Sequence, residues 1–113
     1  MQESHTAVIE RNVTWQGPFA TEPYEVAWAS EAIFFVRVLA KANAPDILVA
    51  QVQISPDGMH WCKEGEILQI PTQDYDGDLA FCRVEHFGGW LRLAGEVPAG
   101  SSITVIVYLV LKG

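Results

Sequence analysis

The sequence alternates apolar and polar residues with a period of two over much of its length. The clearest case is the segment 46–55, DILVAQVQIS, in which apolar side chains alternate with two glutamines. A period of two places successive side chains on opposite faces of a strand, whereas an amphipathic helix needs a period of about 3.6. Helical spacing is nowhere sustained over about ten residues. This pattern predicts a chain built from half-buried β-strands.

Turn residues divide the chain into strands of ordinary length. The predicted strands are 6–15, 24–28, 31–42, 46–55, 60–63, 66–70, 79–86, 90–94 and 102–112. The β-branched and aromatic residues of EAIFFVRVLAKA favour a strand over a helix at 31–42. Turn signals recur about every 8–12 residues, which is typical of an antiparallel sandwich or barrel.

We therefore predict one all-β domain over 1–113, an antiparallel β-sandwich of jelly-roll type with about eight or nine strands. An immunoglobulin-like sandwich is the second choice. Residues 1–5 are expected to form a loose N-terminus.

Charge limits the partners of this chain. It carries 7 basic and 14 acidic residues, for a formal net charge of −7. Phosphate backbones and anionic membranes attract clustered Lys and Arg, so we expect neither nucleic acid nor membrane as a partner. The start, MQESHTAVIERN, lacks the apolar core of a secretory signal, and no apolar run reaches the ~18 residues of a membrane span. The expected location is cytoplasmic as synthesised.

The segment SPDGMHW, 55–61, carries a recognisable hairpin pattern: Pro-Asp-Gly forms the turn, and Trp61 follows three residues after the glycine. It resembles the hairpin of small β-sandwich proteins of phage and prophage structural modules and, less closely, that of discoidin-like binding sandwiches. The phage likeness extends over about 20–113, because the hairpin lies between AIFFVRVLAKA and the strands WLRL and SITVIVYLVLKG. It implies a virion accessory or decoration protein that assembles through protein contacts.

Two long strands are apolar on both faces, where a solvated outer face should be more polar. These are 31–42 and 102–112. In so small a domain a second buried layer is hard to supply, which predicts a homo-oligomer. The candidate interface residues are Ile33, Phe35, Leu39, Ile106, Tyr108 and Val110.

Aromatic residues offer an alternative function. Trp15, Trp28 and Tyr75 could form a surface platform for a glycan, as in a carbohydrate-binding module. Trp61 and Trp90 are expected to be core or core-edge residues of the hairpin and its neighbouring strand.

The densest acidic cluster, DYDGD, offers Asp74, Asp76 and Asp78 as candidate Ca²⁺ ligands. Its spacing is not that of an EF-hand, and a solvated turn explains it equally well. No other cofactor is expected.

Catalytic signatures are missing from the sequence. There is no GxSxG elbow and no phosphate loop. His5, His60 and His86 are expected at surfaces or turns, although His60 and Cys62 could meet on one face of a strand. Cys62 and Cys82 are expected to be reduced and buried. We therefore predict no catalytic residues and a non-enzymatic structural or assembly function.

Overall fold

The computed structural model describes residues 4–72, 79–85 and 87–113, which form nine strands within these ranges. The strands are β1 (Ser4–Trp15), β2 (Pro18–Ala20), β3 (Tyr24–Glu25), β4 (Glu31–Ala42), β5 (Ile47–Ser55), β6 (Cys62–Pro71), β7 (Leu79–Glu85), β8 (Trp90–Glu96) and β9 (Ser102–Lys112). Among the described residues, no helix is long and apolar enough to cross a membrane.

The strands form two antiparallel sheets that pack face to face. Sheet A has the order β1-β9-β4-β7, and sheet B has the order β2-β8-β5-β6, with β3 also paired to β8. When β2 and β3 are counted as one interrupted strand, each sheet has four strands in the order of a jelly roll. The predicted antiparallel sandwich of jelly-roll type is confirmed.

The core lies between the sheets and is built by the alternation that the sequence displays. On β9, and on β4 as far as Val38, every second side chain points inward and is buried, so burial follows the period of a strand. Fully buried side chains from both sheets meet there: Phe34, Val36, Val52, Leu68, Leu91, Leu93, Val107 and Leu109.

Two local predictions were wrong. Ser4 and His5, expected in a loose terminus, belong to β1 because they pair with the C-terminal end of β9. The predicted strands 60–63 and 66–70 are replaced by the single strand β6, in which Gly65 adopts a positive φ of 117° and a bulge absorbs the register shift.

Both cysteines are free, as predicted. Cys82 on β7 is buried, and this burial, with a smaller contribution from Glu66 and Glu64, raises the pKa of the Cys82 thiol to about 12. Cys62 is exposed at the start of β6, so the prediction that it is buried was wrong.

Candidate functional site

The outer side of sheet A carries a continuous band of apolar side chains. Cross-strand pairing places Val8 beside Tyr108, Tyr108 beside Phe35 and Phe35 beside Phe81. One row of apolar side chains therefore spans all four strands of the sheet. The two flanking rows add further apolar side chains and also two arginines, since Arg83 pairs with Ile33 and Arg37 pairs with Ile106 and Leu79. The central row and the apolar members of its flanks make up what we call the apolar face: Val8, Ile33, Phe35, Leu79, Phe81, Ile106, Tyr108 and Val110.

Several members of the apolar face are widely exposed. Leu79 is 52% exposed and Phe81 is 50% exposed. The Phe81 ring packs against Phe35 with centroids 6.0 Å apart, and the Arg83 guanidinium lies 5.3 Å from the centroid of the Phe81 ring. These contacts hold the exposed ring in place, which favours binding because little side-chain freedom remains to be lost.

The dimensions of the face suit an interface. With strands about 4.8 Å apart and a rise of about 3.3 Å per residue, the 42 residues of the four strands give sheet A an outer side of roughly 670 Å². A standard interface buries about 800 Å² per partner. Each outward side chain covers about 32 Å² of the sheet, so the eight members of the apolar face cover roughly 250 Å² in projection.

Five of the six predicted interface residues lie together on this face: Ile33, Phe35, Ile106, Tyr108 and Val110. Leu39 is exposed but lies at a register shift between Val38 and Ala40, away from the apolar row. Sequence reasoning missed Val8, Leu79 and Phe81. The alternation within LAFCRVE was the signal that could have revealed Leu79 and Phe81. In this strand Cys82 and Val84 face inward, so Leu79 and Phe81 must face outward.

The outer side of sheet B is less apolar. Ile47, Val49 and Ile67 are exposed; Ile47 pairs with Pro71, but Val49 pairs with Gln69 and Ile67 pairs with Gln51. No apolar row therefore crosses the described strands of this side. Sheet A presents the stronger candidate surface.

The Pro-Asp-Gly hairpin is organised by one carboxylate. Asp57 Oδ1 accepts hydrogen bonds from the backbone N–H groups of Met59 and His60, both at 2.9 Å, and from the Ser55 hydroxyl at 2.9 Å. Its Oδ2 lies 2.7 Å from Nδ1 of His60. The backbone N–H of His60, then its ring and the Met59 N–H, hold the pKa of Asp57 well below its usual range. These contacts give Asp57 and His60 structural roles in the turn.

The two half-buried tryptophans of this region pack on the hairpin side of sheet B. The Arg92 guanidinium lies 4.3 Å from the Trp61 ring centroid, and Arg92 Nε donates to Gln53 Oε1 at 2.6 Å. Trp90 covers the turn at Gly58. Neither Trp61 nor Trp90 belongs to the core between the sheets or to the partly buried side chains packed against it, so the core or core-edge position expected for them was wrong.

A second candidate site lies where the edge strands of the two sheets meet. It is an open cleft of about 660 Å³, which we call the edge cleft. His5 Nε2 lies 3.1 Å from the Tyr24 hydroxyl and so bridges β1 to β3 across it. The cleft is lined by Ser4, His5, Pro23, Tyr24, Glu25 and Trp28.

The predicted aromatic platform is only partly present. Trp28 is 45% exposed, in agreement with the surface position expected for it. The surface position expected for Trp15 was wrong, because Trp15 is buried and stacks on Phe19 with centroids 3.9 Å apart. Tyr75 lies outside the described residues.

Of the other candidate site residues, some lie outside the described residues and some lie within them. Asp74, Asp76, Asp78 and His86 lie outside the described residues. Within the described ranges no group of three or more His, Cys, Asp or Glu side chains is placed to hold a metal ion. His60 pairs with Asp57, whereas the Cys62 thiol points to the Ile54 carbonyl at 3.8 Å, so each has a partner of its own.

No protein-family profile matches the chain, and no curated protein is significantly similar to it.

Proposed function

We propose that this chain is a non-enzymatic structural protein that assembles with further copies of itself through the apolar face. The supporting observation is the row of Val8, Tyr108, Phe35 and Phe81 across all four strands of sheet A. The outer side of an antiparallel sheet is ordinarily polar when water covers it. A rigid apolar band there is instead typical of a surface that another protein covers.

A second copy is the occupant that fits this face. A two-fold axis parallel to the strands, between β9 and β4, places Tyr108 of each copy against Phe35 of the other. The same operation places Lys112 of one copy opposite Glu31 of the other, since these residues pair on adjacent strands. The operation therefore matches apolar with apolar side chains along the central row and a cation with an anion at its end, as a two-fold interface allows.

The resemblance to phage and prophage sandwiches supports the same proposal and suggests the larger assembly. A virion accessory or decoration protein needs a small rigid domain that binds copies of itself or a shell of other subunits. We propose that the dimer is the unit that enters such an assembly.

Carbohydrate binding is the second candidate function. It is favoured by one observation, the exposed Trp28 in the edge cleft. The platform predicted from the sequence loses Trp15 to the core, so this function depends on different neighbours from those first expected.

A dilution series followed by amide NMR tests the assembly proposal. Between millimolar and micromolar protein, the resonances of β4, β7 and β9 are expected to shift together, because those strands carry most of the apolar face. The resonances of β5 and β6 serve as the control and should stay in place. Spectra that do not depend on concentration, or shifts confined to sheet B, would overturn the proposal.

A further inference from the structure

We propose that the edge cleft binds a neutral saccharide by stacking a pyranose ring on Trp28. This inference rests on the second candidate function, carbohydrate binding, and adds the class of ligand and its mode of contact. The cleft shares no residue with the apolar face, so the inference is independent of the assembly proposal.

Trp28 has the position of a stacking platform. It is the most exposed of the four tryptophans in the chain, at 45%, whereas Trp15 is buried and the other two are half-buried. A Cβ placed on Gly113 would lie 3.1 Å from two carbon atoms of the indole, so the end of the chain packs closely against this ring. The indole is thus supported from one side while nearly half of its surface is open. Aromatic rings of this kind offer an apolar face to the C–H face of a sugar.

Polar groups of both kinds surround the ring. The Tyr24 hydroxyl lies 3.1 Å from Nε2 of His5, within hydrogen-bond distance. The planes of the Tyr24 and His5 rings lie at 26° to each other. Ser4 adds a hydroxyl and Glu25 adds a carboxylate to the lining. A carboxylate accepts hydrogen bonds only, whereas hydroxyl groups both donate and accept. This combination matches the hydroxyl groups of a sugar, each of which is both a donor and an acceptor.

Charge and shape narrow the class of ligand. The six described lining residues include a carboxylate and no Lys or Arg, on a chain with a formal net charge of −7. Phosphates and acidic sugars are therefore disfavoured, since anions are recognised by cationic side chains. A quaternary ammonium would need aromatic rings that enclose it. The cleft is open instead, which suits part of a longer glycan lying across the surface.

Amide and indole NMR with three neutral disaccharides tests this inference. Maltose, cellobiose and lactose are titrated separately, with choline chloride and glucuronate as the cationic and anionic probes. At least one disaccharide is expected to give a saturable shift of the Trp28 indole N–H, assigned by its loss in Trp28→Phe. Choline and glucuronate should leave that resonance in place.

Matched variants locate the site. Trp28→Ala should weaken binding of the active disaccharide at least about tenfold, whereas Trp61→Ala, which removes a tryptophan that does not line the cleft, should leave affinity unchanged. If Trp28→Ala fails to fold, Glu25→Gln and Tyr24→Phe provide the same test by removing one polar partner each. The inference is overturned if no disaccharide moves the Trp28 indole, if choline or glucuronate moves it instead, or if the cleft variants bind as well as the parent chain.

Discussion

Replacing Phe81 by serine is expected to weaken self-association far more than it weakens the fold. Phe81 is 50% exposed in the isolated chain. Taking about 200 Å² for a full phenylalanine side chain, the exposed half is roughly 100 Å². At about 25 cal/mol per Å², covering it contributes about 2.5 kcal/mol per copy, or about 5 kcal/mol in a two-fold dimer that uses the residue twice. This is an upper limit, because ordering at the interface consumes part of it.

Even a realised loss of about 2 kcal/mol raises the dissociation constant roughly 30-fold, which sedimentation velocity over a concentration series resolves easily. Val49→Ser is the matched control, because Val49 is also an exposed strand residue, at 42%, but lies on sheet B. Circular dichroism checks that both variants remain folded. The reasoning is refuted if Phe81→Ser associates as strongly as the parent chain, or if Val49→Ser dissociates it equally.

Further predictions concern the turns and one buried hydroxyl. The folded-state pKa of Asp57 is depressed below its ordinary 3.8, so the stability that this carboxylate contributes is present above about pH 4 and is lost at lower pH. The difference in Tm between the parent chain and Asp57→Asn should therefore shrink below about pH 4. A difference in Tm that stays constant with pH would contradict this reasoning. Gly58→Ala should lower the free energy of unfolding in urea by more than the ~1 kcal/mol expected for the control Gly100→Ala. Both glycines have a positive φ, but only at Gly58 would the new Cβ lie 3.1 Å from the Trp90 ring. Equal losses of stability would show that this contact is unimportant. Thr21→Val should lower the free energy of unfolding by about 1–3 kcal/mol in the same assay, because the buried N–H of Leu93 loses its acceptor. Thr21→Ser keeps the hydroxyl and should lower it less. The reverse order would exclude this hydrogen bond as the cause.

The fold was predictable because its signals are local and repeated. Alternation along β4, β5 and β9 fixed both the strands and the side chains that enter the core. The errors fall where pairing between distant segments decides the outcome. Ser4 and His5 become a strand only because the end of β9 lies beside them, and no pattern within the first residues records that partner.

The candidate site was predictable in part for the same reason. Two long strands with too many apolar residues pointed to a covered sheet face, and β4 and β9 are indeed neighbours in sheet A. Phe81 escaped notice because β7 looks like an ordinary alternating strand until its outer side chains are placed next to Phe35. The surface position expected for Trp15 was wrong because the chain continues from β1 into β2, where Phe19 covers the indole ring.

Sedimentation equilibrium of the unmodified chain tests the assembly proposal most directly. The chain has a mass of 12.5 kDa. Self-association through the apolar face predicts a weight-average mass that rises with concentration from this value toward twice it, and that fits a monomer–dimer equilibrium. A mass that stays at 12.5 kDa up to millimolar concentration would contradict the account, because an apolar row across four strands would then be stable in contact with water alone.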